Sequence, residues 1–303
     1  MNPALHQSDS RLGVALVAGA AVTWSAAGYF THLIHVGIFP MLVWRNLFGG
    51  LFMVGFVAFT YRGKTVHAFR TLGRVGWSVA VLNGFSMLFY LAALRHTSVA
   101  NVVVIYATAP FVAAGLAFLL YRDRASRRTL ATGVIALVGV GITVAGTPAA
   151  TGLLGDLFAA GMTLAVAIFT IVARRHRDRS MIAAAAASAW VGILIALPFA
   201  SPSSLRVTPL QLLELALFGV TSFGLGLILY TLGARHLHAA RSALISALDT
   251  PLAPLWVWLA FGLRPAFASV IGGGIVLTAV ISNILSERNP APVLSAEPVV
   301  ESV

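Results

Sequence analysis

The stretch R-S-A-L-I-S-A-L-D-T-P-L-A-P-L-W-V-W-L-A-F-G, residues 241–262, decides how the rest of the chain is read. After Arg241 it carries one charge, Asp249, followed by Pro251 and Pro254 inside a run that is otherwise apolar. A carboxylate and two helix-breaking residues are tolerable there only if the surroundings explain them. In water the run would be a core helix spoiled at its middle. In lipid, irregular backbone is allowed where it lines a cavity inside the protein.

Composition selects the lipid. Of 303 residues, 59% are hydrophobic and 10% charged, with a mean hydropathy of +0.91. Soluble domains carry about 25% charged residues, and a globule always leaves much of its surface to water, so a soluble fold could not hide this much apolar area. There is no cysteine, hence no disulfide, thiolate or Cys-ligated metal chemistry. The formal charge of +11 does not indicate a nucleic-acid partner, because no basic segment is long or interleaved with aromatics. Charged loops that set membrane topology account for it better.

A bilayer core takes roughly 20 apolar residues per helix. The chain offers ten such segments, at 12–33, 38–60, 75–95, 98–120, 129–147, 152–173, 181–200, 210–234, 240–262 and 266–285. The first is too long for a cleaved signal peptide. The weakest is 181–200, whose M-I-A-A-A-A-A-S-A-W is only mildly hydrophobic and is expected to face neighbouring helices. With the N-terminus inside, sixteen Lys and Arg fall in inner segments, while Arg95, Arg206 and Arg264 fall outside and Arg45 lies within the second span. Positive charge favours the cytoplasm, so both termini are expected there. The expected organisation is a short cytoplasmic segment 1–11, two five-helix units at 12–147 and 152–285, and a disordered tail 286–303 rich in proline.

The two units repeat one another. At an offset of 140, Gly84 meets Gly224, Tyr90 meets Tyr230, Arg95 meets Arg235, His96 meets His236, Thr23 meets Thr163 and Tyr29 meets Phe169. One further slip pairs Pro110 with Pro251. Five is odd, so the second unit must enter the membrane from the opposite side. Inverted repeats of this kind build many secondary transporters, with the site near the midplane between them. The fold class is therefore all-α integral membrane: ten transmembrane helices as two inverted five-helix repeats.

Several segments carry a family resemblance: W-R-N-L-F-G-G-L-F at 44–52, L-A-A-L-R-H-T-S-V-A-N-V-V-V-I-Y-A-T-A-P from 91, G-D-L-F-A-A-G from 155, and L-G-A-R-H-L-H-A-A-R from 232 into the opening stretch. On these the chain resembles tandem EamA domains of the drug/metabolite transporter superfamily, and within it is similar to YddG-like exporters of aromatic amino acids. The resemblance implies ten helices, export of amino acids or other small metabolites, and a bacterial inner membrane. One departure stands out. The Gly-Glu pair that often ends the fourth and ninth helices is replaced by Tyr121-Arg122-Asp123-Arg124 and Gly262-Leu263-Arg264, so any role of that glutamate does not carry over.

Asp249 lies about ten residues into its span, where an ionised Asp costs roughly 2.5–3.5 kcal/mol and by default faces the bundle interior. It could exchange a proton, pair with a substrate ammonium, or, with Thr250, satisfy carbonyls freed near residues 247 and 250 by the two prolines. Asn83, Met87 and Tyr90 share one helical face by their spacing of four and three. Trp24, Tyr29, Tyr106, Phe169 and Tyr230 could add an aromatic wall suited to a small amphipathic solute, or could serve packing and the lipid interface. Arg45 could snorkel outward, pair with an acid such as Asp156, or bind a substrate carboxylate.

Rival classes find less support. G-V-G-I-T-V-A-G at 139–146 lacks dinucleotide-binding spacing, no Walker A sequence occurs, and H-L-H at 236–238 is too short for a metal site. No nucleophile–base pair or second midplane carboxylate points to an enzyme. A channel would more often be built by subunits around a pore. The expected partners are thus a small-molecule substrate, foremost an amino acid, and the lipid bilayer, with no cofactor, metal or nucleic acid. A proton-coupled exporter of drugs or other metabolites, or a channel-like facilitator, is the alternative.

Overall fold

A computed structural model describes residues 3–62, 65–97, 99–143, 152–175, 181–262, 264–265 and 267–286. The expected tail from 287 onward, and Lys64, Arg177, Arg179 and Arg288, lie outside the described residues. All regular structure among the described residues is helical. Among the described residues, eight stretches are long and apolar enough to cross a bilayer: Ser10–Leu33, Ile38–Thr60, Asn101–Tyr121, Leu153–Val172, Ile182–Phe199, Pro209–Ala234, Ala239–Phe261 and Phe267–Leu285. The two other segments anticipated from hydropathy are helical as well: Gly73–His96, and Arg127–Thr143, which is described as far as residue 143.

Four of these rods are interrupted. The first is α1 (Pro3–Ser25) and α2 (Ala27–Leu33), joined at Ala26. Next come α3 (Ile38–Thr60), the short α4 (Thr65–Arg70) and α5 (Gly73–His96). The segment expected to be one helix over 98–120 is split into α6 (Val99–Tyr106) and α7 (Ala109–Tyr121), because Pro110 cannot donate into the preceding turn. It is followed by α8 (Arg127–Thr143), α9 (Leu153–Arg175) and α10 (Met181–Ala196). Thr208 and Gln211 form a reciprocal capping box at the start of α11 (Pro209–Phe218), which runs through a π-helical turn, Gly219–Leu225, into α12 (Gly226–Ala234). The opening stretch becomes α13 (Ala239–Ser246) and α14 (Asp249–Phe261), broken at Ala247–Leu248. The last helix is α15 (Phe267–Ser286).

The packing repeats at the sequence offset. α5 lies on α9 as α12 lies on α1, α10 packs on α5 as α3 packs on the π turn, and α8 faces its own mate α15. Small residues permit these approaches, as they must where lipid gives no hydrophobic drive between helices. A Cβ on Gly139 would come within 2.8 Å of the Gly272 carbonyl, and one on Gly49 within 2.6 Å of the Gly219 carbonyl. Contrary to the expectation of mild hydrophobicity, α10 lies in one of the more apolar spans, and it is deeply enclosed: Ile182 through Ala189 are all buried. Its run of alanines is a small-residue face held between α3 and α5.

The repeat is not obeyed everywhere. α12 is packed on both α9 and α10, whereas the corresponding pairs, α5 with α1 and α5 with α3, touch little among the described residues. α5 makes its main contacts with α9 and α10 instead.

Candidate functional site

The two split helices break at matching places in the repeat, and their breaks meet. The Tyr106 hydroxyl, at the end of α6, reaches Ser246, its repeat mate at the end of α13. Asp249 opens α14, so its carboxylate sits at the positive end of a half-helix dipole. It accepts from the Thr250 hydroxyl at 3.2 Å. Of the carbonyls that the prolines might free, Ala247 O is taken by the Thr250 amide at 3.2 Å. Neither side chain is engaged there.

Around Asp249 the structure assembles residues from five helices. Tyr106 stands within electrostatic range of Asp249 and Tyr230, and Tyr90 within range of Asp249 and Arg45. Asp249, Tyr106 and Arg45 are deeply set yet keep accessible surface, and Tyr90 is exposed. These groups form one polar cluster at the helix breaks. Beside it Tyr230, 2% exposed, bonds the Thr170 hydroxyl at 2.6 Å and packs on Trp24 with ring centroids 5.0 Å apart. Thr170 already donates to Val166 O at 2.9 Å, so the Tyr230 hydroxyl is the donor of the shared bond.

Arg45 neither points outward nor pairs with Asp156. That carboxylate accepts from Thr97 at 2.8 Å and Asn101 at 3.2 Å. The close approach of Gly49 to the π turn carries α3 against it, and the guanidinium, one turn away, lies over Phe223 (5.0 Å) and Phe218 (5.4 Å). Two cation–π contacts of about 0.5–2 kcal/mol each are comparable to the roughly 2.5–3.5 kcal/mol that an Arg costs at this depth. Its remaining contacts are weak: Met87 Sδ at 3.0 Å and Asn46 Oδ1 at 3.4 Å.

The other residues singled out from the sequence separate into two groups. Met87 lines a cleft between α3, α5 and α10 with Asn46, Gly84 and Gly192. Asn83, on the same face of α5, is tied to α10 by its bond to Ser188 at 3.0 Å. Phe169 is 2% exposed and belongs to the packed core beside Tyr230. Tyr29 is stacked on Phe261 at 5.6 Å and edge-on to Phe30. Thr170, Ser246, Phe218 and Phe223 were not anticipated. For Ser246 the offset from Tyr106 was a usable signal; for the two phenylalanines nothing in the pattern announced a π turn.

With that geometry in place, comparison with known proteins is decisive for the family. The EamA-like transporter family matches the chain twice in tandem, over residues 11–145 and 153–285. The chain belongs to the EamA-like transporter family. It is therefore an integral membrane protein of the drug/metabolite transporter superfamily. No curated protein matches the sequence. A solved crystal structure, 20% identical, aligns over 93% of this chain and 98% of its own length with a TM-score of 0.76, which shows a shared fold. Membership implies a small-molecule substrate.

Proposed function

We propose that the chain is a secondary transporter that moves small amphipathic metabolites, foremost amino acids with aromatic or apolar side chains, outward across a bacterial inner membrane. The observation that carries this reading is the meeting of the two broken helices, where Asp249, Tyr106, Tyr90 and Arg45 bring an acid, two phenols and a cation within electrostatic range of one another; the substrate crevice is proposed to lie there. Such a lining suits a solute with a charged head and a ring. Ten crossings with cytoplasmic termini, arranged as inverted units over 12–147 and 152–285, agree with the helix pairing that recurs at the repeat offset and with the asymmetry of Lys and Arg. Under that orientation the closed end, at Tyr230, faces the cytoplasm, and transport proceeds by alternately opening the two ends.

Proton coupling is the second reading. It is favoured by the Asp249 carboxyl, which is deeply set, accessible and free of a cationic partner within ion-pair distance among the described residues. Labelled amino acids followed into liposomes, with and without a pH gradient, test both. Uptake driven uphill by the gradient and lost in Asp249→Asn establishes coupling through Asp249. Uptake that follows only the amino-acid gradient, with the variant active, leaves a facilitated transporter. Absence of amino-acid transport from well-folded protein refutes the substrate class.

A further inference from the structure

We propose that Arg45 is the anchor for a carboxylate on the transported solute, and that the pocket discriminates acids from their amides through it. This rests on the transporter reading and names the group that its substrate must carry. Arg45 lies in the middle of an apolar helix and has no carboxylate within ion-pair distance among the described residues. Its Nε is buried without a hydrogen-bond acceptor. Of its five donors, one terminal nitrogen is directed at the Met87 thioether, a weak acceptor, and at a distant Asn46 oxygen. Phe218 and Phe223 lie near the guanidinium as ring partners and supply no acceptor.

What this cation lacks is therefore an oxygen anion. Its location is where a solute could supply one. Met87, which it touches, lines the cleft between α3, α5 and α10. Tyr90, within range of Arg45, is 42% exposed. A planar guanidinium matches a carboxylate through two parallel bonds, which an amide cannot reproduce. Tyr90 also stands within range of Asp249, so acid and base flank one phenol without pairing with each other. A zwitterion with its ammonium toward Asp249 and its carboxylate toward Arg45 would neutralise both.

The test is competition against labelled phenylalanine in proteoliposomes of the full chain, with phenylalanine, phenylalaninamide, 3-phenylpropionate and 3-phenylpropanamide as competitors. Each acid is expected to compete about thirtyfold or more better than its amide, the usual consequence of removing one partner of a buried charge pair. Arg45→Gln should abolish the difference between acid and amide, and Arg45→Lys should keep part of it. Acid and amide competing equally in the wild type would overturn the proposal without recourse to any variant, as would an undiminished preference in Arg45→Gln. If phenylalanine is not transported at all, the amino-acid reading fails by itself. Thermal stabilisation of the purified protein then decides the anchor: stabilisation by 3-phenylpropionate and not by its amide, lost in Arg45→Lys and Arg45→Gln, upholds it. Equal stabilisation, none, or the same shift with sodium chloride at equal ionic strength overturns it.

Discussion

Tyr230→Phe tests whether the closed end of the crevice is held by a latch. The Tyr230 hydroxyl donates to Thr170 across 2.6 Å between α12 and α9, while Thr170 keeps its own bond to Val166 O. Removing the phenol oxygen deletes one buried bond and strands no donor, so the loss is the net value of a neutral hydrogen bond, about 0.5–1.5 kcal/mol. The repeat mates of these residues are Tyr90 and Phe30, and Phe30 carries no hydroxyl. The bond therefore belongs to one end of the molecule and biases the equilibrium between its two openings. Its loss shifts that equilibrium by roughly 2- to 12-fold toward opening at α12. Because the chain contains no cysteine, a single Ala234→Cys reports opening cleanly. Ala234 is fully buried, one turn beyond Tyr230. The rate at which maleimide labels the introduced thiol should rise by that factor in the Tyr230→Phe background, with the melting temperature in detergent little changed. An unchanged rate in a folded, active double variant would refute the latch.

Three further predictions concern packing. Gly49→Ala places a methyl 2.6 Å from the Gly219 carbonyl and 2.7 Å from the Phe223 ring; it should cost about 1–3 kcal/mol, read as a lowered melting temperature, whereas Gly55→Ala, with nothing within 4 Å, should not. Trp256→Phe removes the indole bond to Ser25 at 2.8 Å, which ties α14 to the break between α1 and α2; a penalty of about 0.6 kcal/mol is expected, measured in the same melts. Asn283→Leu should be close to neutral, within about 1 kcal/mol, because the Asn283 Oδ1 is buried without a partner while Thr132 retains its bond to Arg128 O.

Chain composition and hydropathy were enough to determine a helical membrane protein, because lipid admits few other ways to satisfy the backbone. The offset of 140 announced the repeat, and Pro251 behind Asp249 announced a broken helix with a carboxylate at its start. The same proline logic applied to Pro110 would have found the second break. The run of small alanines in 181–200 was legible as a helix facing protein, and residues 182–189 are buried.

Tertiary structure decided the directions in which side chains point. Tyr29 and Tyr106 look alike in sequence, but one stacks on Phe261 and the other meets Ser246 within electrostatic range of Asp249. Helix rotation about its axis is set by the neighbours' small residues, and those are supplied from more than a hundred positions away, as Gly219 is for α3. The turn of Arg45 inward has the same origin: the π turn brings Phe218 and Phe223 to its guanidinium, and no local periodicity encodes a contact between helices so far apart in the chain. Sequence by itself determined the solvent, the apolar segments and the break behind Asp249, because these depend on local chemistry; the cluster of groups at the breaks came from packing between the two repeats.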